Sequence, residues 1–230
     1  MKKKVLLGAA CLALALSSAS YAKSGVFVGA NVGLPITTPT YVGEFQNAEA
    51  SLPNTGVGYV LGLDAGYQQN FTPKMGLRYY LSYNFSQSFA SKTSEANDIS
   101  QKLSAVNFNH LIAANVDFFY NITDMFGAYA GLGAGFTNFS TDMTGTVSGD
   151  TPDGQSQTAT VKFVGNSFAL PLNLGVSMNL GDHQVIKLGA KIPLVGTDIK
   201  DLDSTDETFG NGTFATLRNY IIQVGYSYIF

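Results

Sequence analysis

FATLRNYIIQVGYSYIF, residues Phe214 to Phe230, closes the chain and sets how the rest is read. Counting back in twos from the end gives Phe230, Tyr228, Tyr226, Val224, Ile222 and Tyr220. The residues between them are Ile229, Ser227, Gly225, Gln223, Ile221 and Asn219, mostly small or polar. A period of two marks a β-strand with two unlike faces. A soluble chain seldom stops on its greasiest segment. A closed sheet in lipid has reason to, because its last strand must pair with its first and leave no open edge.

The same alternation recurs upstream. Strands are expected near 26–34, 57–68, 75–89, 106–122, 126–139, 166–180 and 185–194, with the closing strand as the eighth. The clearest runs from Met75, where Leu77, Tyr79, Leu81, Tyr83 and Phe85 alternate with Arg78, Tyr80, Ser82, Asn84 and Ser86. Pro171 interrupts the sixth strand and predicts a bulge there. The connections alternate in length. Residues 35–54, 90–103, 140–160 and 195–213 read as long loops, and the stretches around Phe71, Thr123 and Asp182 as short turns. Outer-membrane barrels have this asymmetry, with short periplasmic turns and longer external loops. The fold class expected is all-β: an eight-stranded antiparallel transmembrane β-barrel of the outer-membrane type.

Alternation alone does not say which face is inside, and a lipocalin-like soluble barrel would bury the apolar one. The charges decide for the membrane. Asp64, Arg78, Asp117, Lys187 and Lys191 all lie on the glycine-rich phase, which suits a narrow interior better than a solvent surface. Aromatics on the apolar phase gather towards the strand ends, as interfacial girdles do: Tyr67, Phe118 and Tyr226 at one rim, Phe85, Phe136 and Phe168 at the other. Charges in a narrow lumen must be paired. With the first short turn centred on Phe71, Asp64 faces Arg78, and a salt bridge between them is expected, with Asp117, Lys187 and Lys191 nearby. Arg218 is the exception, on the apolar phase. It stands twelve residues before Phe230, on the order of 30 Å up at a tilt of about 40°. There it can snorkel to lipopolysaccharide phosphates.

Residues 1–22 read as a secretory signal: Lys2 to Lys4, an apolar run from Val5 to Leu16, and Ser20-Tyr21-Ala22 as a small-x-small cleavage site. Residues 23–230 are then the barrel. Cys11 lacks the usual preceding Leu of a lipoprotein signal and falls inside the discarded segment, so the remaining chain has no cysteine for a disulfide, thiolate metal site or nucleophile. Losing the three lysines takes the formal charge from −3 to −6, which argues against nucleic acid as a partner. There is no apolar run long enough for a membrane-spanning helix.

Chemistry finds few footholds. A lipid A deacylase would set a serine beside a lipid-facing histidine, but His110 is flanked by Asn109 and Leu111, with Ile112 next on its own face. His183 falls in a turn. The stretch DIKDLDSTDE, 198–207, is acidic enough for a hard cation but lacks the EF-hand glycine and spacing, so it reads as a solvated loop. GLGAG at 131–135 is a strand interior and not a phosphate loop. No catalytic residue, metal site or cofactor is expected.

Two resemblances add to this. Ile222, Val224, Tyr226, Tyr228 and Phe230 resemble the C-terminal assembly signal of bacterial outer-membrane proteins. The stretch NSFALPLNLGVSMNLGDHQVIKLGAKIPL, from Asn166 to Leu194, resembles the C-terminal region of the Helicobacter outer membrane protein family. The shared elements are Asn173-Leu174-Gly175, His183 in its turn, and Leu188-Gly189-Ala190-Lys191-Ile192-Pro193. TLRNYIIQVGYSYIF fits its closing strand, and GLRYYLSYNFS (Gly76–Ser86) a further one. The resemblance covers roughly the C-terminal third and is loose elsewhere. It implies an outer-membrane barrel in a group of porins, adhesins and members without a known role, with no catalytic residues to carry over. The large adhesins of the family hold an extracellular domain between early strands, and this chain has only short inserts there.

The function expected is that of a small outer-membrane barrel with surface-exposed loops and a structural or surface-interaction role. The alternative is a narrow porin for ions or small solutes, and a lipid A-modifying enzyme ranks last. Expected partners are outer-membrane lipid and lipopolysaccharide, the barrel assembly machinery, and host or surface ligands met through the loops, with the protein itself a monomer.

Overall fold

The computed structural model describes residues 23–96, 99–148, 156–201 and 213–230. The signal segment 1–22 and residues 202–207 of the acidic stretch lie outside the described residues. The elements are β1 Gly25–Tyr41, a 3-10 segment Gly43–Ser51, β2 Gly56–Asn70, β3 Met75–Ala96, β4 Ile99–Asn121, β5 Phe126–Ser148, β6 Gln157–Ala169, β7 Pro171–Asn179, β8 Gln184–Pro193, β9 Thr197–Asp201 and β10 Ala215–Ile229. Every pairing is antiparallel, and β10 pairs with β1 from Phe27↔Ile229 to Tyr41↔Ala215. The sheet therefore closes on itself. β6 and β7 both pair with β5, and β9 and β8 both pair with β10. Each of these couples is one barrel strand with an interruption, so the ring has eight strands.

The expected bulge at Pro171 is not there. Ala169↔Gly135 and Leu172↔Leu132 keep a single register across the break, so no extra residue is inserted. Pro171 has no N–H to give, and the ladder lapses beside it without shifting. Nor do the prolines make all of 35–54 the expected loop. β1 runs on through Pro35 and Pro39 to Tyr41, because Leu34 and Pro35 fall in a gap of the β1–β2 ladder, between Gly33↔Val60 and Ile36↔Val57. Pro39 lies beyond that ladder altogether, with β10 as its neighbour.

The stretches read as loops at 90–103 and 140–160 are largely strand. β3 and β4 stay paired to Ala96↔Ile99, and β5 and β6 to Val147↔Gln157. Above the lipid both faces meet water, so the apolar alternation stops while the pairing continues. Side-chain hydroxyls continue across the β5–β6 ladder, Thr144 to Thr160 at 2.9 Å and Ser148 to Ser156 at 3.1 Å. Threonine is β-branched and favours the extended chain.

Sidedness follows the charges. Leu132 is 53 % and Leu174 38 % exposed on the outer wall, while Arg78 and Asp117 are buried inside. The terminal residues Ile222, Val224, Tyr226, Tyr228 and Phe230 all point outward. Glycine on the inner face makes room for bulk elsewhere. Gly175 and Gly189, opposite each other on β7 and β8, leave the space that the Tyr129 ring fills from β5.

Candidate functional site: the packed lumen

The inward phase is a stack of side chains from the turn end to the loop end. At the turn end Phe27, Tyr80, Val185 and Ile229 form a closed apolar cluster. Asp64, Lys187 and Lys191 lie further from the turns on their strands, and Arg78 lies two residues turnward of Tyr80 on β3. Lys187 Nζ is 3.1 Å from Asp64 Oδ2, and both side chains are almost fully buried. The lysine also stands over the rings of Phe27 and Tyr80, at 5.9 and 5.5 Å. Tyr80 donates its hydroxyl to Asp117 Oδ2 at 2.8 Å. Asn173 donates to the other Asp117 oxygen at 3.0 Å and accepts from Lys191 Nζ at 3.2 Å.

The expected Asp64–Arg78 salt bridge is absent. The β2–β3 turn is centred two residues later than Phe71, so the register sets Asp64 opposite Ser82 and Arg78 opposite Gln68. Arg78 Nε donates to Gln68 Oε1 at 2.7 Å, and its guanidinium lies 5.1 Å over the Phe119 ring. Asp117 is its cross-strand neighbour on β4. Asp64 finds its cation on the far side of the barrel. A local turn count cannot see such a partner, because it depends on closure.

The polar residues that hold these charges were not singled out from sequence: Gln68, Tyr80, Asn115 and Asn173. Their only signal is that they share the glycine-rich phase with the charges. Further up, Asn219 donates to Ser86 Oγ at 2.8 Å and to Asn109 Oδ1 at 3.1 Å, and Thr141 donates to Asn107 Oδ1 at 2.8 Å. Towards the loop end lies a second apolar cluster that includes Tyr41, Leu52, Phe139, Phe163, Ile199 and Phe214. The Phe163 and Phe214 rings stack at 4.2 Å. The 3-10 segment folds Phe45 onto Phe214 at 4.7 Å. Tyr41 donates to the Pro53 carbonyl at 2.6 Å, and burial, with Glu49 adding, holds its phenol well above the ordinary tyrosine range. It therefore remains a donor at any physiological pH.

Outside the lumen, Arg218 is half-buried on the outward phase of β10, level with Thr38 of β1. His110 faces outward from β4 and its Nδ1 is 2.8 Å from the Tyr83 hydroxyl. Its cross-strand neighbours are Phe85 and Asn138. His183, in the last turn, lies 2.7 Å from the Ile229 carbonyl.

Comparison with known structures finds other small barrels. The Yersinia pestis attachment invasion locus protein Ail, in complex with the heparin analogue sucrose octasulfate, is 14 % identical over 88 % of this chain and 99 % of its own, with a TM-score of 0.37. Neisserial surface protein A is 15 % identical over 90 % and 98 %, with a TM-score of 0.45. OprG from Pseudomonas aeruginosa is 14 % identical over 91 % and 97 %, with a TM-score of 0.48. The search of curated proteins returns no match. The family model described as Helicobacter outer membrane protein matches residues 62–230, well beyond the C-terminal third that carried the resemblance in sequence. A closed, lipid-faced barrel and a family match over most of its length lead to one conclusion: the chain belongs to the Helicobacter outer membrane protein family and resides in the cell outer membrane.

Proposed function

We propose that this protein is a structural, surface-interacting barrel whose lumen is a plug, and that its contacts with the exterior are made by its loops. The observation that carries this reading is the double closure of the lumen. Apolar clusters seal both ends, and a bonded polar layer fills the middle. An eight-stranded ring has space for little more than its own side chains. Single-channel recording in planar bilayers tests it: baseline current is expected, and large sustained conductance would overturn the plug.

One observation favours the alternative, a narrow porin. Asn31 Nδ2, Asp64 Oδ1, Asn84 Oδ1, Gln223 Oε1 and Ser227 Oγ are buried without a protein partner, and they line one wall across β10, β1, β2 and β3. Such a polar row is what a solute path needs. Val60 and Ile221, each 1 % exposed, stand in the layers at its upper end, and Phe27 and Ile229 stand below. The row is a closed compartment under this reading. The enzyme reading has less support still, since His110 meets a phenol, a phenyl and an amide and has no serine among its cross-strand neighbours.

The remaining assignments belong to the same proposal. Residues 1–22 act as the secretory signal and residues 23–230 as the barrel. Ile222, Val224, Tyr226, Tyr228 and Phe230 present an unbroken apolar edge to the barrel assembly machinery. Arg218 meets lipopolysaccharide phosphates at the outer interface. Host or surface ligands are met through the loops, and the protein works as a monomer without cofactor or metal. The lumen charges Asp64, Arg78, Asp117, Lys187 and Lys191 hold the wall together.

A further inference from the structure

The barrel wall has one dislocation. β10 pairs with β8 up to Ile221↔Lys191 and resumes with β9 at Leu217↔Thr197. Three residues of β10, Arg218 to Tyr220, therefore face five, Ile192 to Gly196, with no pairing between them. On the opposite side of that segment, Leu194 N–H to the Leu170 carbonyl at 3.0 Å spans the break between β6 and β7. The strand rolls as it crosses the gap. Leu194 is 48 % and Val195 43 % exposed, two successive residues turned out where a regular strand turns out one of two. The gap lies beside Arg218, at the level of the outer interface. Directly behind it is a cavity of about 30 Å³, the space of one or two water molecules. Pro193 and Val195 line it from the wall, the buried Pro171 and Leu217 add apolar surface from within, and Lys191 and Asn219 supply polar atoms.

Charge balance adds a second, independent observation. In the membrane-level lumen, among the described residues, three cations face two carboxylates: Arg78, Lys187 and Lys191 against Asp64 and Asp117. Lys187 holds Asp64, and Arg78 neighbours Asp117 across the sheet. Lys191 is the surplus. Only 3 % of it is exposed, no carboxylate among the described residues lies within ion-pair distance, and its ammonium meets the neutral Asn173 at 3.2 Å and the face of the Tyr80 ring at 5.7 Å. A buried ammonium with three donors, one neutral acceptor and one ring face is costly.

We propose that the dislocation between β8–β9 and β10 is a binding site for an amphiphilic monocarboxylate of the fatty-acid type. The carboxylate enters the cavity and pairs with Lys191, and the hydrocarbon tail leaves past Pro193 and Val195 into the outer leaflet. The guest supplies the anion the lumen lacks, and its tail covers the lapse in pairing.

The test uses the protein purified from outer membranes and placed in lipid nanodiscs, with radiolabelled octanoate as probe and octanol as its uncharged counterpart. Equilibrium dialysis is expected to show a saturable octanoate component, one per barrel, that empty discs lack and octanol does not reproduce. Lys191→Met and Val195→Trp should each weaken it at least about tenfold, the loss of a charged contact or of the entry gap. Uptake equal to that of empty discs would overturn the proposal, as would equal saturable binding of octanol or unchanged binding in Lys191→Met. Should Lys191→Met not assemble, Val195→Trp, at the outer wall, decides alone, and unchanged binding there overturns the proposal.

Discussion

At the scale of single residues, the lumen is governed by the cost of leaving a charge unpaired. Lys187 and Asp64 gain little over a well-packed apolar pair, yet removing one strands the other. Lys187→Met is expected to destabilise the barrel by about 3–5 kcal/mol, and the double variant Asp64→Leu/Lys187→Met to recover most of that. Urea unfolding followed by heat-modifiable mobility in gels measures both, and equal losses in the single and double variants would remove the pair from the account. The identity of the inward charges was legible in sequence, because four share a phase with glycine on their own strands and Asp117 shares one with Asn107, Asn109 and Asn115. Their partners were not. Asp64 reaches Lys187 across 123 positions of chain, and only ring closure sets that distance.

At the scale of elements, each strand is specified by alternation and each interruption by backbone chemistry. Gly189 on β8 illustrates how little freedom the inner face has. A Cβ there would fall on the Tyr129 hydroxyl from β5. Gly189→Val is expected to block assembly or to shift the ring outward, at a cost of roughly 1–3 kcal/mol if it folds; wild-type stability in that variant would mean that the Tyr129 ring is free to move. The closing strand makes a different prediction. Phe230 is 68 % exposed and contributes little to packing inside the barrel. If it serves assembly, Phe230→Ser should lower the amount of folded protein reaching the outer membrane several-fold, while the same variant refolded in detergent keeps near wild-type stability. Equal losses in both settings would make the residue merely structural. Elements were legible wherever one face met lipid. The extensions of β3 to β6 were not, since a ladder of Thr and Ser wet on both faces has the composition of a loop.

At the scale of the whole molecule, the barrel holds two apolar clusters, one towards each end. Phe163→Ala/Phe214→Ala removes the stacked pair at the loop end, and each truncation should cost about 3–5 kcal/mol as a buried aromatic. Conductance is nevertheless expected to stay at baseline, because the polar layer around Asp117 and the lower cluster at Phe27 remain. A new ohmic current in that double variant would place the barrier at the mouth alone.

Sequence by itself determined the class of the molecule: a period of two, glycine opposite grease, and charges on the glycine side are local properties that lipid on one wall imposes on every strand. It also determined the number of barrel strands and which residues face inward. Tertiary structure alone decided who meets whom across the lumen, where the ladder lapses at Leu170 and at Ile192–Gly196, and that an apolar cluster forms towards each end. Those facts depend on the stagger with which the sheet closes, a sum over all eight registers, and a two-residue error in one turn is enough to exchange every partner.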